Sequence, residues 1–136
     1  MHPARLRSCD VLLVEDDAVL VAWIVHALEE RKMSVDVAGD AVEAERLLSE
    51  KGYKAVVIDL ILPRGSGFDI LEFIRTKDLS TKLSAVVITA ADPATLAGLD
   101  RGVVKTLFFK PLNVEQFANY LRALVESPWA APSRFL

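Results

Sequence analysis

Four apolar residues, Ala55-Val56-Val57-Ile58, run without a break into a carboxylate, Asp59, and no other feature narrows the fold as much. Three of the four are β-branched, and the pattern reads as a strand over Lys54–Asp59. A strand that is apolar on both faces must be covered on both, which points to a parallel sheet with helices on either side. A polar residue at the C-terminal end of such a strand stands on the rim of the sheet, where ligands bind in open α/β folds. Asp59 is therefore the candidate reacting group.

The remaining chain supplies the neighbours that this strand requires. Asp10–Val14 is a second apolar run, ending in Glu15-Asp16-Asp17. Ala18–Arg31 lacks Gly and Pro and predicts a helix capped by Asp16 or Asp17. Val35-Asp36-Val37 alternates as a half-exposed edge strand does. Asp40 is placed to cap a helix over Ala41–Lys51, with Val42, Ala44, Leu47 and Leu48 at helical spacing and Gly52 as its stop. Pro63-Arg64-Gly65-Ser66-Gly67 is a flexible turn by composition. Phe68–Lys77 predicts a helix with Ile70, Leu71, Phe73 and Ile74 inward, and Ser84–Thr89 another buried strand. Asp92-Pro93 starts a short helix that Gly102 ends. Val103–Phe109 is the last strand, running into Lys110-Pro111. Asn113 caps a final helix over Val114–Glu126, with Phe117, Leu121 and Leu124 on its apolar stripe. Residues 1–126 thus read as one domain, its core starting at about residue 9, and 127–136 as a short, loosely held tail.

Strands alternating with helices in this way predict an α/β fold: a five-stranded parallel sheet, doubly wound and flanked by five helices. The polar second strand belongs at an edge, which favours the order 2-1-3-4-5. At 136 residues, 52% of them hydrophobic, the chain can bury a full core. A net charge of −3 offers no basic face for a nucleic acid. No apolar run reaches the roughly 20 residues that cross a bilayer, so no membrane partner is expected. The single cysteine, Cys9, cannot form an internal disulfide and reads as a packed strand residue; the cytoplasm is the expected compartment.

In a parallel sheet all strands end on the same rim. Here strand 1 ends in Glu15-Asp16, strand 3 in Asp59, strand 4 in Thr89 and strand 5 in Lys110. Two carboxylates 4 Å apart repel by about 4 kcal/mol at an effective dielectric of ~20. Such a cluster needs a cation, or some members must protonate. An all-oxygen set suits a hard divalent ion, and Mg²⁺ fits best because it binds through one or two carboxylates with phosphate and water. A metal, an ammonium and a hydroxyl around one carboxylate form a site for a phosphoryl group, with Asp59 as nucleophile.

The set Val14-Glu15-Asp16-Asp17, Asp59 with Pro63 and Gly67 behind it, Thr89-Ala90 and Lys110-Pro111 resembles the receiver domain of two-component response regulators. The likeness covers roughly residues 9 to 126, and the four motifs are specific only together. It implies a flavodoxin-like fold with Asp59 as phosphoacceptor, Asp16 as a direct Mg²⁺ ligand and Glu15 acting through water. It further implies that the backbone carbonyl of Ile61 completes the metal ligands, that Lys110 pairs with the phosphoryl group beside a cis peptide to Pro111, and that Thr89 is the switch hydroxyl. The expected partners are a histidine kinase or phosphotransfer protein and a downstream protein. Two departures stand out. Leu107 occupies the position, three before the lysine, where the family usually has Tyr or Phe, and the fourth helix is short.

Several bland readings compete. Alone, Glu15-Asp16-Asp17 is a solvated helix start and Thr89 an ordinary strand residue. Trp23 and Trp129 read as packing residues, His26 as a surface or packed one, and His2 as disordered. With Leu20, Ile24, Ala27 and Leu28 taken as the inner stripe of the first helix, Val21 and Val25 fall on an outer face that reads as a docking surface for the donor or as a homodimer face. A phosphorylation-independent interaction module of the same fold is the alternative function. A phosphatase using Asp59 would need a second acid two residues on, where Ile61 stands.

Overall fold

The computed structural model describes residues 7–126; His2, Trp129 and the rest of the predicted tail lie outside the described residues. The elements run β1 (Arg7–Val14), α1 (Ala18–Glu30), β2 (Val35–Ala38), α2 (Ala41–Glu50), β3 (Lys51–Asp59), α3 (Gly67–Thr76), β4 (Ser84–Thr89), α4 (Pro93–Leu96), β5 (Val104–Phe109) and α5 (Val114–Glu126). A single 3₁₀ turn, Leu79–Thr81, precedes β4. Every strand pairing is parallel, and the order is β2-β1-β3-β4-β5. Among the described residues no helix is long and apolar enough to cross a membrane.

The unbroken apolar run of β3 has a direct cause. Val56 and Ile58 pack on one face with Ala44 and Leu48 of α2 and Ile70 and Ile74 of α3. Ala55 and Val57 pack on the other with Ile24 and Leu28 of α1 and Phe117 and Leu121 of α5. All four strand residues are fully buried. At about 1.5–3 kcal/mol for each fully buried valine or isoleucine, the centre of the sheet is the part least free to move.

The helix starts follow side-chain chemistry. Asp17 accepts the N–H groups of Val19 and Leu20, and Asp40 accepts that of Glu43. Asp92 accepts that of Thr95, with Pro93 in the first turn. Asn113 accepts that of Gln116. Each satisfies a donor that the helix itself leaves unpaired.

Several expectations are corrected. Gly52 does not stop α2. The helix ends at Glu50, Lys51 is already extended, and β3 begins there because Lys51, Gly52 and Tyr53 pair with Arg7, Ser8 and Cys9 of a longer β1. Gly102 does not end α4, which makes one turn and stops at Leu96. Gly98 follows just after the C-cap residue Ala97, and glycine costs about 1 kcal/mol inside a helix. Asp100 then takes over, its carbonyl accepting the N–H groups of Val103 and Val104 and its carboxylate that of Gly102. In α2 the core positions fall to Ala41, Ala44 and Leu48, and Val42 is exposed. Phe73 is half-buried, while Ile70, Leu71 and Ile74 are inside.

Candidate functional site

β1, β3 and β5 end at one rim and deliver Glu15, Asp16, Asp59 and Lys110 to one place. Carboxylate oxygens of Glu15, Asp16 and Asp59 lie within 4.8 Å of one another. Glu15 and Asp59 are buried, at 2% and 4% exposure, and Asp16 is exposed. The Lys110 ammonium reaches both buried acids, 3.0 Å from Asp59 Oδ2 and 2.8 Å from Glu15 Oε1. Asp59 Oδ1 accepts the backbone N–H of Ile61 at 3.0 Å. One oxygen of Asp59 is thus fixed by the chain that follows it, and the other faces the ammonium.

Glu15 is held in the same two-sided way. Its Oε2 accepts the N–H groups of Asp16 and Asp17, each at 3.1 Å. Its Oε1 is buried against the Lys110 ammonium, 2.8 Å away. Burial pushes the Glu15 carboxyl above its ordinary value; Asp59 pushes the same way, while Lys110 and the Asp17 N–H pull it back. Burial works against the Lys110 ammonium, but Glu15 and Asp59 outweigh it and hold the amine above its usual value. Three acids against one ammonium leave an excess of negative charge at the rim. That donor set fits a hard divalent cation.

Thr89 ends β4, fully buried, and its hydroxyl oxygen accepts the Ala91 N–H at 2.9 Å. Among the described residues no hydrogen bond joins the Thr89 hydroxyl to the side chain of Asp59 or Lys110. The Lys110–Pro111 peptide is cis, and the Lys110 N–H donates to the Thr89 carbonyl at 2.9 Å. The Ile61 side chain is exposed. Leu107 is buried, and a cavity of about 290 Å³ opens between it, Phe109, Arg101 and Pro93, Leu96 and Leu99 around the α4 turn.

The turn after β3 is tied down rather than flexible. Ser66 caps α3 in a reciprocal box with Asp69, a pattern legible as Ser-x-x-Asp but read only as loop composition. Ile61 and Ser66 form an antiparallel bridge, and the Gly67 N–H donates to the Leu60 carbonyl. Gly67 lies so close to β3 that a Cβ there would sit 2.5 Å from the Asp59 carbonyl oxygen.

The outer face of α1 also differs from expectation. Val21 and Val25 are half-buried and pack against the core shared by α1 and α5. The exposed apolar residues are Val19 and Trp23, each 62% exposed, so Trp23 is not a packing residue. The α-helical period decides this, because Val21 and Val25 turn toward the core while Val19, Trp23 and His26 lie on the opposite flank.

Three acids and an ammonium on the carboxyl rim of a doubly wound sheet define an α/β domain built for phosphoryl chemistry. The chain belongs to the response regulator receiver domain family, whose model matches residues 11–122. It is 32% identical over 120 residues to the transcriptional regulatory protein TcrA of Mycobacterium tuberculosis, covering 88% of this chain and 47% of that one. It is 35% identical over 117 residues to the transcriptional regulatory protein BasR of Escherichia coli, covering 85% and 51%. The chain spans about half the length of the curated relatives it matches. In fold it is similar to the receiver domain of a signal transduction histidine kinase from Syntrophus aciditrophicus, with a TM-score of 0.78, 22% identity, and 94% and 98% of the two chains covered. It is a receiver domain of the two-component response regulator family.

Proposed function

We propose that Asp59 accepts a phosphoryl group from the phosphohistidine of a histidine kinase or phosphotransfer protein, and that the phosphorylated domain changes its binding to a downstream protein. The supporting observation is the placement of the Asp59 carboxylate against Lys110 and two further acids. A carboxylate oxygen of Asp59 attacks phosphorus; the P–N bond breaks as the P–O bond forms, and the imidazole keeps the electron pair. The Ile61 N–H fixes the carboxylate's orientation before attack. The Lys110 ammonium shifts from carboxylate to phosphoryl oxygens, whose charge it offsets. The Thr89 hydroxyl gives up the Ala91 N–H and turns to the phosphoryl group.

Glu15, Asp16, Asp59 and the Ile61 carbonyl are the residues that would hold Mg²⁺. When bound, the ion supplies positive charge against the phosphoryl oxygens and relieves the repulsion among the acids. Ile61 and Ala91 flank the acceptor with no polar side chain to orient water, so self-dephosphorylation is slow. The receiver unit takes in the described residues 7–126. The donor docks on the exposed flank of α1, through Val19 and Trp23 rather than Val21 and Val25, because that flank starts beside Asp16 and Asp17 at the mouth of the site.

Incubation with acetyl phosphate tests the reading. Wild type should shift on a phosphate-affinity gel only with Mg²⁺ present, and Asp59→Asn should not shift at all. Labelling of Asp59→Asn to the wild-type level would overturn the assignment. The buried Leu107 and the one-turn α4 favour a second reading, an interaction module indifferent to phosphate. Failure of wild type to take label with Mg²⁺ would select it.

A further inference from the structure

The segment from Leu60 to Ser66 is fastened at the site, at α3 and at α2. At the site, the Ile61 N–H holds Asp59 Oδ1, and at α3, Ser66 is the helix cap. At the tip, the Arg64 carbonyl accepts the N–H of Ala41, the first residue of α2. The Arg64 side chain also reaches α2, its Nε 3.0 Å from Asp40 Oδ2. Asp40 Oδ1 meanwhile caps α2 through the Glu43 N–H at 2.8 Å. Between these bonds Gly65, at φ +78°, lies so close to α2 that a Cβ there would stand 2.9 Å from the Ala41 Cβ. The acceptor carboxylate and the first turn of α2 are therefore joined by a short chain of bonds with no slack at the tip.

We propose that the Arg64–Asp40 ion pair is a latch that couples the chemical state of Asp59 to the N-terminal end of α2. The inference rests on the phosphoacceptor reading and goes beyond it by assigning a positioning role to Arg64 and a second responsive surface to α2. The physical basis is the bond at Ile61. It is charge-assisted while Asp59 is a carboxylate, and such bonds are roughly twice as strong as neutral ones. Loading Asp59 lowers the charge on the carboxyl group and weakens this anchor. A loop whose bond to Asp59 at the Ile61 N–H weakens, while its tip stays held, transmits the change to α2, whose first turn carries the exposed Val42. The coupling is reciprocal, so whatever binds that end of α2 alters loading at Asp59.

Amide NMR of the described domain in the full chain tests the latch, with Mg²⁺ and then beryllofluoride as the phosphoryl mimic. In wild type, the amides of Ile61, Ala91 and Ala41–Ala44 should all shift on loading. In Arg64→Ala, and in Asp40→Asn, which keeps a capping side chain, the shifts at Ala41–Ala44 should fall while those at Ile61 and Ala91 persist. Mg²⁺ affinity should change by up to about fivefold. The double variant should be no worse than either single one, as for two ends of one interaction. Arg64→Lys should restore the α2 response, which a merely structural loss would not explain. Undiminished α2 shifts in Arg64→Ala, or additive effects in the double variant, would overturn the latch. Absence of any response at Ile61 and Ala91 in wild type would instead overturn the phosphoacceptor reading, and the latch with it.

Discussion

Gly67 shows how tightly single atoms hold the acceptor. Its missing side chain lets the first turn of α3 lie against β3, where a Cβ would meet the Leu60 Cα at 2.7 Å as well as the Asp59 carbonyl. Both obstacles are backbone, so neither can swing away. Gly67→Ala should cost about 1–3 kcal/mol by thermal melting, and it should also weaken Mg²⁺ binding, because the strand end that carries Asp59 must shift. Lys110 is the other residue on which the site depends. Removing it leaves Glu15 and Asp59 buried without their counter-charge, and breaking a buried pair by deleting one partner costs about 3–5 kcal/mol. Lys110→Ala should be destabilised toward that range without Mg²⁺, less so for the partial exposure of the lysine, and should recover part of the loss when Mg²⁺ is added. At this scale the sequence was informative about identity and silent about geometry. Glu15, Asp16, Asp59 and Lys110 could be named from their places at strand ends, but the Ile61 N–H on Asp59 could not, because a backbone donor leaves no mark in a sequence.

Among the elements, α1 and two further aspartate-capped helices, α2 and α4, carry distinct expectations. Trp23→Ala should change stability by no more than about 0.5 kcal/mol, as surface changes do, yet slow phosphotransfer from a protein donor while sparing labelling by acetyl phosphate. Val25→Glu should instead lower the melting temperature, since it sets a carboxylate against the apolar core beneath α1. Equal loss of both kinds of labelling in Trp23→Ala would remove α1 from the docking surface. The caps carry a pH dependence. The Glu43 N–H, ahead of Arg64, holds the Asp40 carboxyl below its ordinary value, and the Thr95 N–H does the same for Asp92. A carboxyl lowered on folding contributes stability that is complete above its unfolded value of about 3.9. That contribution is lost as the pH falls through the lower folded value. The amide signals of Glu43 and Thr95 should therefore move together on acidification below about pH 4, and Asp92→Asn should abolish the change at Thr95. The period of each helix was legible, but not where α2 and α4 stop. Strand pairing with β1 claimed Lys51 and Gly52, and Asp100 claimed the turn before β5. The first partner is far along the chain from the helix end it decides; the second, Asp100, lies just past Leu96 and competes with the helix for the turn.

Across the whole molecule, the sheet trades stability for chemistry at its rim. Its two faces bury a continuous apolar layer, while one edge gathers three like charges around a single ammonium. A cation that binds only the folded state stabilises it by about 2.7 kcal/mol at a hundred times its dissociation constant. Mg²⁺ should accordingly raise the melting temperature of wild type by several degrees, and Asp16→Asn should reduce the gain. The sequence by itself determined the alternation of strands and helices, the parallel sheet and the acids and lysine at its rim, while the strand order leaned on the resemblance to receiver domains. All but the order follow from periodicity and from the rule that parallel strands end on one side. Only the tertiary structure decided which flank of α1 is bare, how far β3 extends, and that Arg64 reaches across to Asp40. Each of these depends on distances between segments far apart in the chain, and local patterning carries no measure of such distances.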